Sequence, residues 1–509
     1  MFSRRNFLRL IGAAGAFSLL PKKVFSQMPG MGGASNLVPF TDKLRLPTVL
    51  KAKKVKGVAT YTMTMMEAEV RCHSSLPMTK VWGFNGEFPG PTIIADKGKP
   101  VRITQINNLP ETGVKKDTHP AIHLHGAHVD PSSDGHPMDG IAFDGGSRIY
   151  DYPNEQRGCT MWYHDHSHGL TGERVVKGLA GLYILQDKST EAKLKLPRGD
   201  REVALVIQDR SFDAQGQFKY ELTDDVLQMG YHGDNILVNG TVQPYFEIES
   251  AKYRFRILNG SNARIYTLAL SNGQPIIQIG TDGGLLQRPV SKTSIQIAPS
   301  ERIDIVIDFS GMDVDQSLIL KNIYEDATTD STNQIMRFDV VKKVKDTKEL
   351  PATLVQWEEI PEYNTDGTPA LERTFNLARQ TIGGKLLWTI NGKAYEMMPE
   401  PLATPALNTI EKWKFVNPTN HPHPMHVHLV QFQICNINGE PQEASEHGWK
   451  DTFLVPPASE VTVIAKFTGY TGTYVFHCHN LEHEDFAMMG EFKVTDTGAM
   501  PEMPGMGGH

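Results

Sequence analysis

A chain of 509 residues has room for about three domains. Its 39% hydrophobic and 21% charged residues exclude a disordered chain and a membrane bundle, and 45 Gly and 32 Pro beside four Cys describe a turn-rich protein that is not a disulfide scaffold. A net charge of −7 gives nucleic-acid binding no electrostatic support, and 19 His against four Cys makes the placement of histidine the question to follow.

The N-terminus reads as an address. Ser3-Arg4-Arg5-Asn6-Phe7-Leu8 precedes an apolar run from Leu10 to Leu20, well short of the roughly 20 residues that span a bilayer. With a small residue at Ser26, residues 1–26 resemble a twin-arginine signal, which exports proteins already folded. The expectation is a periplasmic protein, carried out by the twin-arginine machinery and free of the membrane after processing. Removing the five basic residues of this segment takes the net charge from −7 to about −12. Residues 27–45 read as a Met/Gly-rich flexible segment.

Three repeats follow. Asn-Gly pairs, strong hairpin signals, stand at Asn85-Gly86, Asn239-Gly240 and Asn391-Gly392, spaced by 154 and 152 residues. Each precedes an alternating segment that ends in Asn: Val101–Asn107, Tyr253–Asn259 and Glu411–Asn417. Alternation predicts half-buried strands, and the frequent Gly, Pro and Asn punctuation predicts β-sandwiches of about 150 residues. The predicted domains are residues 46–190, 195–345 and 350–495, with charged, Pro-containing joints at Asp187–Glu202 and Lys342–Pro351. Residues 496–509 form a second Met/Gly-rich tail.

The histidines concentrate in the outer repeats. Four His-x-His pairs occur, at His123/His125, His164/His166, His426/His428 and His477/His479. Residues i and i+2 of a strand share a face, so each pair projects two imidazoles together. The offsets between repeats are 303 and 313 residues, so the first and third domains present matching sets. Imidazole suits copper, and eight rings facing each other across a domain interface would hold about three ions. The middle repeat carries Asn262-Ala263-Arg264 where a pair would sit, and is read as a spacer. Cys478 lies between His477 and His479, so its sulfur points to the opposite face, toward His423 and His483. Two His, one Cys thiolate and a distant Met488 form the ligand set of a blue-copper electron-transfer site. A lone His-x-His is commonly a core or surface pair; the specificity lies in all four pairs in this order around His-Cys-His. Cys72, Cys159 and Cys435 allow at most one disulfide.

On these residues the sequence resembles the multicopper oxidases over nearly the whole chain after residue 45. It is most similar to the spore-coat laccase and bilirubin oxidase branch, through Tyr253–Asn259, IGTDGGLL at Ile279–Leu286, GWKDT at Gly448–Thr452 and HCHNLEHEDFAMM at His477–Met489. The resemblance implies an all-β chain of three cupredoxin-like Greek-key sandwiches and four copper ions. Carried over by position, His423, Cys478 and His483 hold type 1 copper with Met488 axial, and His123 and His426 hold type 2 copper. His125, His164, His166, His428, His477 and His479 hold the type 3 pair. Asp134 resembles the acid near the type 2 copper and Glu484 the acid on the dioxygen path; the bland alternative for either is a solvated or capping carboxylate. Reduction of dioxygen to water consumes protons, so a buried carboxylate relay is chemically needed.

The function expected is a copper-dependent oxidase that takes four single electrons from a phenolic or aromatic donor, through an exposed edge of His483, and reduces dioxygen to two waters. The hexapeptide Met-Pro-Gly-Met-Gly-Gly, at Met28–Gly33 and again at Met503–Gly508, suggests Cu(I) as an alternative substrate, because thioethers favour cuprous ion. A non-catalytic exported scaffold is disfavoured by the complete ligand set. A monomer is the default expectation.

Overall fold

The computed structural model describes residues 37–111, 118–395, 400–442 and 447–496. The export signal, both Met-Pro-Gly-Met-Gly-Gly segments and the C-terminal tail lie outside the described residues.

Six sheets form three face-to-face pairs, as the predicted all-β fold requires. In the first domain a five-stranded sheet containing Val58–Val70, Val101–Asn107 and Gly146–Tyr152 covers a four-stranded sheet in the order Gly90–Asp96, Ala180–Gln186, Cys159–Asp165, Ile122–His125. The middle domain pairs an eight-stranded with a five-stranded sheet. In the third, a six-stranded sheet around Leu371–Ile382, Ile410–Asn417 and Ser459–Lys466 covers a four-stranded sheet in the order Thr452–Val455, His423–Val427, Gly472–Cys478, Met489–Val494. Each sandwich encloses its own apolar core. Among the described residues, no helix is long and apolar enough to cross a membrane.

The repeated Asn-Gly signals are one structural device used three times. All six residues have positive φ, from 49° to 76°, as a primed hairpin turn demands. In each turn the Asn side chain also accepts a backbone N–H from a neighbouring strand: Thr64 to Asn85 at 2.8 Å, Val206 to Asn239 at 2.8 Å and Asn376 to Asn391 at 2.7 Å. The Asn closing each alternating segment is likewise buried. Asn107, Asn259 and Asn417 each donate to backbone carbonyls and accept the N–H two residues on, so their amides satisfy a sheet corner that no ladder reaches.

Three expectations need correction. The middle strand Lys252–Asn259 is buried on both faces rather than half-buried. Its polar residues Arg254 and Arg256 are paired within the fold, to Asp304, Glu191 and Glu202, and paired charge tolerates burial. The joint at Asp187–Glu202 is accordingly structured: Asp187 caps the helix Lys188–Leu194, and Glu191 on it meets Arg254 at 2.6 Å. The segment 27–45, expected to be flexible, is strapped to the middle domain where it is described. Phe40 N donates to Gln243 O at 2.8 Å and Leu44 N to Tyr245 O at 2.7 Å, while Leu44 enters the middle core.

The turn glycines differ in what surrounds them. A Cβ on Gly240 would lie 2.5 Å from the Phe88 carbonyl, whereas one on Gly392 would meet only the Gln380 side chain, at 3.2 Å. Gly392→Ala is expected to cost about 1–2 kcal/mol, the left-handed strain alone, and Gly240→Ala clearly more. Calorimetric Tm values check this, and equal losses would refute it.

Candidate copper centres

The two four-stranded sheets hold the histidines in matching register. His123 lies opposite His164 across one antiparallel pair, and His426 opposite His477 across the other. The sheets meet with their imidazoles converging. His123 Nε2 is 3.4 Å from His426 Nε2. His166 Nε2 is 3.2 Å from His428 Nε2 and 3.1 Å from His477 Nε2, and those two are 3.4 Å apart. Three sets result, the first two sharing His125: His123, His125 and His426; His125, His164 and His479; His166, His428 and His477. The six rings read together from the sequence thus divide into two groups of three.

Several Nδ1 atoms are engaged, and other buried ring nitrogens are bare. His123 Nδ1 meets the Asp134 carbonyl at 2.6 Å, His164 Nδ1 the Asp165 carbonyl at 2.8 Å and His426 Nδ1 the Asp451 carbonyl at 2.7 Å. His428 Nδ1 meets Asp134 Oδ2 at 2.7 Å. Buried and without a hydrogen-bond partner are His125 Nδ1, His164 Nε2, His166 Nδ1 and both ring nitrogens of His479. Orphaned buried nitrogens are costly unless a ligand takes them. Burial pushes His164 down to about 4 and His166 to about 3, so these rings are neutral and their lone pairs are free for a metal.

The opposite face of the strand Gly472–Cys478 carries the other site. Cys478 Sγ lies 3.5 Å from His423 Nδ1 and 3.6 Å from His483 Nδ1, and the two rings' Nδ1 atoms are 3.3 Å apart. Met488 is fully buried in the same core cluster as Cys478, and its backbone brackets the site: Met488 N donates to His483 O and its carbonyl accepts from Cys478 N. All four cysteines are free. Burial pushes the Cys478 thiol well up, so a metal must displace its proton.

One short helix serves both sites. Asn480 caps Leu481–Asp485, and successive residues leave it about 100° apart. Glu482 goes to the middle domain, accepting from Asn262 Nδ2 at 2.7 Å and Tyr231 N at 2.8 Å. His483 goes to Cys478. Glu484 goes to the imidazole cluster, with Oε2 2.9 Å from His477 Nδ1 and Oε1 3.4 Å from His166 Nδ1; Thr171 Oγ1 donates to it at 2.7 Å. Asp485 accepts the Thr171 and Gly172 amides, each at 2.8 Å. The two acids singled out in the sequence are thus buried against the rings, and they titrate in opposite senses. Burial pushes Asp134 well above the usual carboxylate range. Burial also acts to raise Glu484, but the adjacent His477 and His166 outweigh it and hold it well below that range.

The expected exposed edge of His483 is absent. The ring is 1% exposed, its Nε2 donates to the Gln228 carbonyl at 2.9 Å, and Trp388 packs against it at 4.3 Å. The helix Asp224–Met229 of the middle domain forms this cover. Trp388 Nε1 holds it by the Leu227 carbonyl (3.3 Å) and Arg379 by Gln228 Oε1 (3.0 Å). Sequence reasoning missed this cover, since nothing in an Asp-Asp-Val-Leu-Gln-Met hexapeptide announces a partner some 250 residues away. It also missed Asp451, which had appeared only within the GWKDT segment.

Fold and ligand geometry together define a copper protein, and the comparisons identify its family. Sequence profiles described as "Multicopper oxidase" match residues 366–498 and 63–190. The laccase of Bacillus subtilis (strain 168) is 36% identical, over 90% of this chain and 99% of its own. The bilirubin oxidase of Albifimbria verrucaria is 32% identical, over 81% of this chain and 72% of its own. The crystal structure of the McoA multicopper oxidase from the hyperthermophile Aquifex aeolicus superimposes with a TM-score of 0.79 at 33% identity, covering 90% of this chain and all of that one. The chain belongs to the multicopper oxidase family. It is an oxidoreductase that uses four coppers to couple oxidation of a reducing substrate to reduction of dioxygen.

The neutral rings have a measurable consequence. Their folded pKa values lie below the unfolded value of about 6.5, so the unfolded chain takes up more protons between about pH 6.5 and 4. The copper-free protein is therefore expected to lose stability as pH falls through that window, by up to about 1.4 kcal/mol per pH unit for each ring. Copper at about 1,000 times its Kd is expected to restore about 4 kcal/mol. Calorimetry at pH 7 and pH 5, with and without copper, tests both; a Tm indifferent to pH and copper would refute them.

Proposed function

We propose that His423, Cys478, His483 and Met488 would hold type 1 copper, His123 and His426 type 2 copper, and His125, His164 and His479 together with His166, His428 and His477 the type 3 pair. The observation that carries this reading is the convergence of bare ring nitrogens from two domains on one face of a strand whose other face presents Cys478. Copper at these places supplies one-electron chemistry, taking electrons at the thiolate site and delivering four to dioxygen with four protons to give two waters.

The chain's own residues make that chemistry usable. Cys478 is covalently continuous with His477 and His479, so the two sites are joined by a few bonds of one strand. Asp134 and Glu484 are the carboxylates placed to pass protons toward the cluster: Asp134 Oδ2 accepts from His428 Nδ1, and Glu484 faces His477 Nδ1 and His166 Nδ1. Thr171 orients Glu484 from the first domain, and the complete burial of the rings excludes bulk water. Glu484→Gln is expected to keep four coppers yet turn over more slowly; full copper with unchanged turnover would sink the relay. Met488→Leu is expected to raise the type 1 potential, and Cys478→Ser to abolish blue colour and turnover together.

We read the donor as a phenolic or aromatic reductant, in keeping with relatives named laccase and bilirubin oxidase. The cover over His483 keeps such a donor off the ring, so electrons reach His483 across the Gln228 carbonyl. The same cover favours a second reading, a cuprous oxidase acting in copper tolerance, because a bare ion needs no open cleft; Asp224 and Asp225 lie in the first turn of this helix and Met229 at its end is 36% exposed. Dioxygen uptake with a phenolic dye, compared with Cu(I) oxidation before and after trimming both Met-rich tails, decides between the two. Arg379→Ala, which frees the cover, is expected to raise kcat/KM for a bulky phenol several-fold; no change would show that the cover does not limit access. We further propose that the enzyme acts as a monomer in the periplasm after twin-arginine export. Cytoplasmic retention of an Arg4→Lys/Arg5→Lys variant would support the route, and its normal export would refute it.

A further inference from the structure

The middle domain contributes no imidazole to the metal groups formed by the described residues, yet one of its arginines sits directly beneath them. Arg302 is fully buried. Its Nε donates to the Thr160 carbonyl of the first domain at 2.8 Å, and its Nη1 to Asp451 Oδ1 of the third at 2.7 Å, with Nη2 on Asp451 Oδ2. One guanidinium thus touches all three domains. Asp282, also of the middle domain, accepts the Arg302 amide at 2.7 Å and faces Lys450 Nζ at 2.9 Å, so the pair is braced from both sides.

Asp451 in turn touches a ring of the cluster. Its Oδ1 lies 3.0 Å from His125 Nε2, which Thr452 Oγ1 also approaches at 3.0 Å. His125 Nδ1, by contrast, is one of the buried nitrogens without a partner. A carboxylate behind an imidazole fixes which ring nitrogen carries the proton and which faces a metal. Gly126 confirms how closely this is built. It has φ +88°, and a Cβ there would lie 2.6 Å from Asp451 Oδ2 and 2.7 Å from Arg302 Nη2. The residue after His125 is glycine because the ion pair occupies the space a side chain would take.

We propose that Arg302, acting through Asp451, is a positioning residue of the imidazole cluster: the pair holds His125 with Nε2 protonated and Nδ1 bare toward the metal. The middle domain, read from the sequence as a spacer, thereby sets one ligand of a site to which it lends no ligand. The inference rests on His125 being a copper ligand. Its reach is mainly to His125, because the Asp451 carboxylate lies 3.0 Å from His125 Nε2 but 3.9 Å from His426 Nδ1, which the main-chain carbonyl holds at 2.7 Å. Changing the carboxylate leaves the hold on His426 in place.

The test reads copper and the tautomer rather than turnover. Asp451→Asn is expected to weaken the copper shared by His125, His164 and His479 about 10- to 100-fold, lowering the copper content below four per chain while the blue colour at Cys478 persists. Gly126→Ala, which pushes the ion pair aside without removing a charge, is expected to do the same. In the copper-free wild-type protein, ring-nitrogen NMR is expected to show His125 protonated at Nε2, a readout that needs no variant to fold. His125→Ala separates the premise from the inference: if it retains four coppers, the ligand reading fails and the inference with it. If His125→Ala loses copper while Asp451→Asn and Gly126→Ala keep all four, or if wild-type His125 is protonated at Nδ1, the role of Arg302 and Asp451 is overturned. A merely structural ion pair would lower Tm in Asp451→Asn and leave copper content intact, which also overturns it.

Discussion

Imidazole nitrogens brought within about 3 Å of each other in a dry interior repel if protonated and are orphaned if neutral. Much else in the molecule follows from that constraint. The rings must be neutral, so they are buried. Their outward nitrogens must be satisfied, so Asp134, Asp165 and Asp451 offer carbonyls or carboxylates. The Asp451 carboxylate needs a partner in turn, which brings buried Arg302 with it. The frustration left at the centre is the affinity for copper.

Two sandwiches suffice to carry the ligands, but they do not hold one another in place unaided. The middle domain contributes at three points that the ligand list conceals. Asn262 anchors Glu482 and thereby the helix bearing His483. The helix Asp224–Met229 roofs His483 itself. Arg302 reaches beneath His125 through Asp451. Each contact crosses a domain boundary with a buried polar group, where a loosened partner leaves an uncompensated donor or acceptor. The packing of the domains and the geometry of the copper sites are for that reason coupled.

The sequence displayed the ligands and the sheets plainly, because both are periodic. Period-two spacing puts His477 and His479 on one face and Cys478 on the reverse, and the repeated Asn-Gly turns mark the three sandwiches. What it hid are contacts that depend on distance in the chain. Arg254 and Arg256 read as the solvent face of a half-buried strand, whereas Glu191, from an apparent linker, pairs with Arg254. His483 looked exposed because its cover comes from another domain. Thr171, Asn262, Gln228 and Asp451 are ordinary residue types whose roles arise only from where the fold sends them.

The helix Leu481–Asp485 has a consequence of its own. Consecutive side chains on it serve the middle domain, the thiolate site, the cluster and the first domain, and the assignment depends on the angular step between neighbours. Inserting or deleting a single residue between Asn480 and His483 would turn every later side chain by about 100°. A deletion would turn the carboxylate meant for the rings toward Cys478 and the imidazole meant for Cys478 toward the middle domain, and an insertion would turn that imidazole toward the rings. This turn of helix behaves as a selector with one admissible setting. Substitutions can be tried along it one at a time, but a change of length permutes four destinations at once.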